Sequence, residues 1–153
     1  MRINQLIDGL RADLRLDSLD PDEDGIYSIV FDEGLAIEIL VLGGNHLLIR
    51  SRLDELPADE RESESVVFEY LRHNLAALRE QIGTLSIDRE ADCIWLAETV
   101  AADQLRIQEL LEILEGFVNS VAWWQRFTDF REGRSRRQQG GFDTNSAMFM
   151  IRP

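Results

Sequence analysis

Residues 26–53 read IYSIVFDEGLAIEILVLGGNHLLIRSRL, and their period of two decides the fold. Tyr27, Ile29 and Phe31 fall on one side of an extended chain, and Ile26, Ser28 and Val30 on the other. After Gly34 the alternation resumes with Leu35, Ile37, Ile39 and Val41. Gly43-Gly44-Asn45 is a hairpin signal, because such residues tolerate the positive φ that a tight turn demands. Leu47, Ile49, Ser51 and Leu53 then alternate with Leu48, Arg50 and Arg52. The pattern predicts strands over Ile26–Phe31, Leu35–Leu42 and Leu47–Leu53, paired as an antiparallel meander with one apolar and one mixed face.

The flanks change period. Upstream, Ile3, Leu6, Ile7, Leu10 and Leu14 recur at steps of three and four, predicting an amphipathic helix over Ile3–Leu16. The segment LDPDEDG then turns the chain. Downstream, residues 54–65 read as a polar connection. Val67, Leu71, Leu75, Leu78 and Ile82, widened by Val66 and Phe68, predict a second helix over Val66–Ile82, stopped by Gly83. Leu85–Asp88 and Cys93–Val100 read as a further hairpin. With Asp103 as its cap, a long helix follows over Gln104–Phe127. The order is α-β-β-β-α-β-β-α, an α+β fold with a twisted antiparallel sheet and three helices. The expected domain covers residues 1–127. From Thr128 the Arg- and Gly-rich stretch FREGRSRRQQGG reads as a flexible tail over 128–153, ending in the apolar FDTNSAMFMIRP.

At 153 residues the chain is one domain's length, with 44% hydrophobic and 29% charged residues. The net charge of −13 argues against nucleic acid and against anionic membrane surfaces as partners, since both would be repelled. All 16 basic residues are Arg, so a Schiff-base lysine and a P-loop lysine are excluded. Cys93 is alone, which rules out an internal disulfide and a Cys-rich zinc site and accords with a reducing cytoplasm. The first residues resemble neither a signal peptide nor a membrane span, because Asp8 and Asp13 interrupt the apolar run.

No motif carries catalysis. Asp20-Pro21-Asp22-Glu23-Asp24-Gly25 matches the front of a calcium loop, but its twelfth position is Phe31 where the bidentate Glu belongs. His46 and His73, the two histidines, lack a ligand partner four residues on, and there is no G-x-S-x-G elbow. Trp123 and Trp124 are either a partner anchor or core packing. Adjacent helical residues diverge by about 100°, so one of them must turn from the core. No catalytic, metal-binding or cofactor-binding residue is assigned and no cofactor is expected.

The pieces LIDGLRADLRL, DEDGIYSIVFDE, LAIEILV and IQELLEILEGFVNSVAWWQRF, in this order over residues 1–127, resemble the class I type III secretion chaperones, the Tir-chaperone-like family. The resemblance implies a cytoplasmic homodimer without enzymatic activity. Such a dimer binds the N-terminal region of a secreted effector in extended form and delivers it to the secretion machinery. It implies client grooves between the first helix and the first sheet, for which Leu6, Leu10, Leu14, Ile29, Phe31 and Ile49 are the candidates. It also implies dimerisation through the second helix and the Cys93–Val100 strand, for which Phe68, Leu71, Leu75, Trp95 and Leu96 are the candidates. Contact with a secretion ATPase stays open, as does occupation of a client groove by the chain's own apolar terminus. The competing readings are an interaction protein of related fold without a secretion role, and a small hydrolase.

Overall fold

The computed structural model describes residues 2–143. Helix α1 (Arg2–Asp13) precedes strands β1 (Ile26–Phe31), β2 (Leu35–Leu42) and β3 (His46–Glu55). Helix α2 (Glu60–Ala77), strands β4 (Thr84–Asp88) and β5 (Cys93–Ala101), and helix α3 (Ile107–Asp143) complete it. The five strands form one antiparallel sheet in the order β1-β2-β3-β5-β4. The predicted α+β order holds.

The meander pairs as its alternation requires, with Ile29 opposite Ile37 and Ile39 opposite Ile49. These residues, with Leu35 and Leu47, cover one face of the sheet, against which Leu6, Ile7 and Leu10 of α1 and Leu110, Leu114, Phe117 and Val121 of α3 form a single buried core. Burying a side chain of this size contributes roughly 1.5–3 kcal/mol. Gly9 lets the two helices approach, since a Cβ there would stand 3.1 Å from the Ile107 side chain. Gly83 is more constrained. Its φ is +94°, and a Cβ would meet Leu96 at 2.9 Å. It therefore turns the chain from α2 into β4 where no larger residue fits.

Helix ends differ from the expectations. The polar stretch before Val66 is helical from Glu60, because the Asp59 carboxylate accepts the Glu62 amide and Glu60 and Glu62 favour the positive end of the helix dipole. The helix ends at Ala77 instead of Ile82. Asp103 does not cap α3; its carboxylate accepts from Asn45 of the β2–β3 turn. The largest correction is at the end of the domain. α3 does not stop at Phe127 but runs to Asp143. Thr128 is buried and the Arg131 side chain is only 16% exposed, so the helix beyond Phe127 packs on the domain through these two residues, while Asp129 and Phe130 face water. The last residues of the apolar terminus, 144–153, lie outside the described residues.

Candidate interaction surfaces

The expected client contacts are mostly interior. Leu6, Leu10, Ile29 and Ile49 belong to the core between α1 and the sheet and present almost no surface, while Leu14 and Phe31 are half-buried against that core. Alternation selected the strand face that packs, and a packing face satisfies its apolar side chains inside the protomer. Apolar surface remains elsewhere on the same strands. Val41 is exposed at the end of the packed face, while on the opposite sheet face Val30 and Leu42 are exposed and Ile26, Leu40 and Leu48 half-buried. That face also carries a 2.7 Å Arg50–Glu38 ion pair, with the Arg50 guanidinium 4.3 Å from the Trp95 ring centre. β1 and β4 each pair on one side only, so both present an edge to a further strand.

The dimer candidates divide. Phe68, Leu71 and Leu75 are 61%, 52% and 72% exposed, and with Leu78 they form an apolar stripe along α2. The other side of the helix buries Val66, Tyr70 and Ala77. α2 is thus apolar on two faces, and the protomer covers one. Leu96 is a correction: it is fully buried beside Gly83, in the core that holds Phe117, and cannot face a partner. Trp95, its neighbour on β5, points to the opposite sheet face and is half-buried there.

Where α2 meets α3 the structure builds a polar cluster that sequence reasoning missed. A bulge in β3 between Arg52 and Asp54 brings Asp54 opposite Ile94, toward the packed face, where alternation alone would have pointed it away. There its carboxylate accepts from the Tyr70 hydroxyl at 3.0 Å and from Arg131, while Tyr70 also shares a hydrogen bond with Thr128. Burial pushes the Tyr70 phenol well above its ordinary range, so it stays protonated. Tyr70 stacks on Trp124 and meets Phe127 edge-on. The detectable signal was the spacing Trp124, Thr128, Arg131, which continues the buried row of α3 past Phe127.

His73 is the second unforeseen feature. Its ring lies between Trp123, 4.5 Å away, and Phe127, 4.1 Å away, nearly parallel to both. Burial holds its pKa below the usual imidazole value. The Trp pair divides as helical geometry demands: Trp124 is core and Trp123 flanks His73. The acidic turn uses its own carboxylate, because Asp22 Oδ1 accepts the amides of Asp24 and Ile26.

Among the described residues no helix is long and apolar enough to cross a membrane. The Tir chaperone protein (CesT) family matches the chain over residues 5–125. No curated protein matches it in sequence. Among solved structures, that of an ExsC–ExsE complex superposes with a TM-score of 0.62 at 23% identity, covering 81% of this chain and 91% of the other. The SchA chaperone in its complex with HopA1 gives 0.59 at 16% identity, covering 81% and 93%. The Yersinia pestis type III secretion chaperone SycH, solved with a fragment of YscM2, gives 0.56 at 16% identity, covering 78% and 97%.

Proposed function

The chain belongs to the Tir chaperone protein (CesT) family, and from that premise we propose how it works: as a type III secretion chaperone that binds the N-terminal region of an effector, keeps it extended and soluble, and helps deliver it to the secretion apparatus. The family is one of chaperones, and its role is binding. Support comes from the chain's α+β fold, shared with chaperones solved in complexes, SycH and SchA with the effector HopA1 among them. Its strong negative charge keeps a protein with exposed apolar surface soluble and works in the cytoplasm, where the effector is made.

The observation that carries the reading is the second apolar face of α2. Exposed Phe68, Leu71 and Leu75 form a contiguous row, the kind of patch that marks an interface. In the proposed homodimer each α2 stripe packs against its copy. The effector segment runs along the half-buried sheet face around Val30, Leu40 and Leu48, with the β1 edge available to its backbone. The test is co-purification from the native cytoplasm with mass spectrometry, read beside light scattering. A particle of twice 17.6 kDa holding the N-terminal part of a secreted protein supports the proposal. A monomer without a polypeptide partner overturns it.

A further inference from the structure

We propose that the groove between α2 and the part of α3 beyond the family match is a docking surface for an acidic segment of a partner polypeptide. The match ends at residue 125, whereas α3 continues to Asp143. This addition brings a local reversal of charge. Residues 126–137 hold five Arg against Asp129 and Glu132, in a chain whose net charge is −13. Arg126, Phe130, Arg134 and Arg137 recur at steps of three and four and so share one side of the helix, from which both acids are absent.

That side borders a groove lined by Glu69, Arg72, His73, Phe127 and Arg134. Its floor is aromatic, lined by His73 and Phe127, whose rings stack on each other. Its walls are guanidinium groups resting on exposed rings: Arg134 lies 5.8 Å from the centre of Phe130, and Arg72 lies 6.0 Å from that of Phe68. Arginine forks suit carboxylates, and an aromatic floor suits one apolar side chain among them. Glu69 is the one acid lining the groove. Its contact with Arg134 is long, at 3.7 Å, between partly exposed side chains, so an incoming carboxylate replaces it at little cost.

The overall negative charge does not forbid this. Screening acts over about 8 Å at physiological salt, so a short peptide responds to the nearby arginines, whereas a long polyanion such as a nucleic acid meets the acidic remainder. Glu69 and His73 lie on one flank of the buried row Val66–Tyr70–Ala77, and Leu71 and Leu78 lie on the other. The groove and the apolar stripe thus open on different flanks of α2 and meet at Phe68, on which Arg72 rests. The inference stands independently of the chaperone reading.

The test uses the full chain and a fluorescein-labelled dodecapeptide of Asp and Glu around a central Phe, with a Lys-substituted peptide as control, followed by fluorescence anisotropy. The acidic peptide is expected to bind saturably and to weaken as NaCl rises from about 50 to about 500 mM, roughly the range over which surface charge is screened out. Arg72→Glu with Arg134→Glu should weaken binding about ten-fold or more, as loss of steering and pairing charges does. Glu69→Gln, which keeps the side-chain shape, should strengthen it by about two-fold or more through removal of the competing carboxylate. Absence of saturable binding overturns the proposal, as does preference for the Lys peptide or weaker binding by Glu69→Gln. So does concentration-dependent self-association that the Arg variants abolish, because the occupant is then a second copy. Circular dichroism checks that the double variant folds, and Glu69→Gln decides the matter should it not.

Discussion

Replacing Leu71 by Glu separates the protomer's own stability from its assembly. Leu71 is 52% exposed, so about half of the roughly 1.5–3 kcal/mol available from full burial of a leucine is still unrealised in the protomer. In a twofold interface the residue occurs twice, so deleting it forfeits about 1.5–3 kcal/mol of association. Two carboxylates placed in the apolar contact add a desolvation cost of at least about 1–3 kcal/mol. Together these weaken the dimer by about 2.5–6 kcal/mol, or on the order of 100-fold to more than 10,000-fold in dissociation constant. Sedimentation equilibrium at micromolar concentration should show a mass near twice 17.6 kDa for the parent and 17.6 kDa for the variant. The monomer should retain its far-UV circular dichroism, since the substituted position already faces water. An unchanged sedimentation mass would refute the assignment of the α2 stripe.

Other expectations concern the α2–α3 junction. Arg131→Leu should lower stability in urea by about 3–5 kcal/mol, because it leaves the Asp54 carboxylate, 9% exposed, without its counter-charge and held only by the Tyr70 hydroxyl; a loss below 1 kcal/mol would mean that the helix beyond Phe127 is not packed. Gly83→Ala should destabilise by about 1–3 kcal/mol through a forced clash with Leu96, read as a lowered melting temperature. His73 has a depressed pKa, so the unfolded chain takes up the proton first as pH falls. Its contribution is complete above the ordinary imidazole value near 6.5, is lost as pH falls below that, and levels off beneath the folded pKa. His73→Phe should flatten that part of the stability profile relative to the parent, and an unchanged slope would exclude His73 as its source.

The strands and their pairing were legible in the sequence because a period of two, broken by Gly34 and by Gly43-Gly44-Asn45, specifies which residues share a face and where the chain reverses. β1 and β2 have the predicted bounds. Apolar spacing also identified α1, α2 and the first part of α3, though not their ends. It did not reveal which apolar face a neighbour covers. Leu6, Leu10, Ile29 and Ile49 were candidates for a client, yet they lie inside, while the equally apolar Phe68, Leu71 and Leu75 lie outside. Periodicity reports that a face is apolar; burial depends on what the tertiary fold sets against it. The same limit explains the end of α3. Thr128 and Arg131 read as polar tail because their partners, Tyr70 and Asp54, are distant in sequence, and Asp54 is turned toward them only by a bulge in β3. Local sequence determined the elements and their amphipathic faces. Long-range packing decided which of those faces remains for a partner, since hydrogen-bond and contact partners far apart in the chain meet only once it has folded.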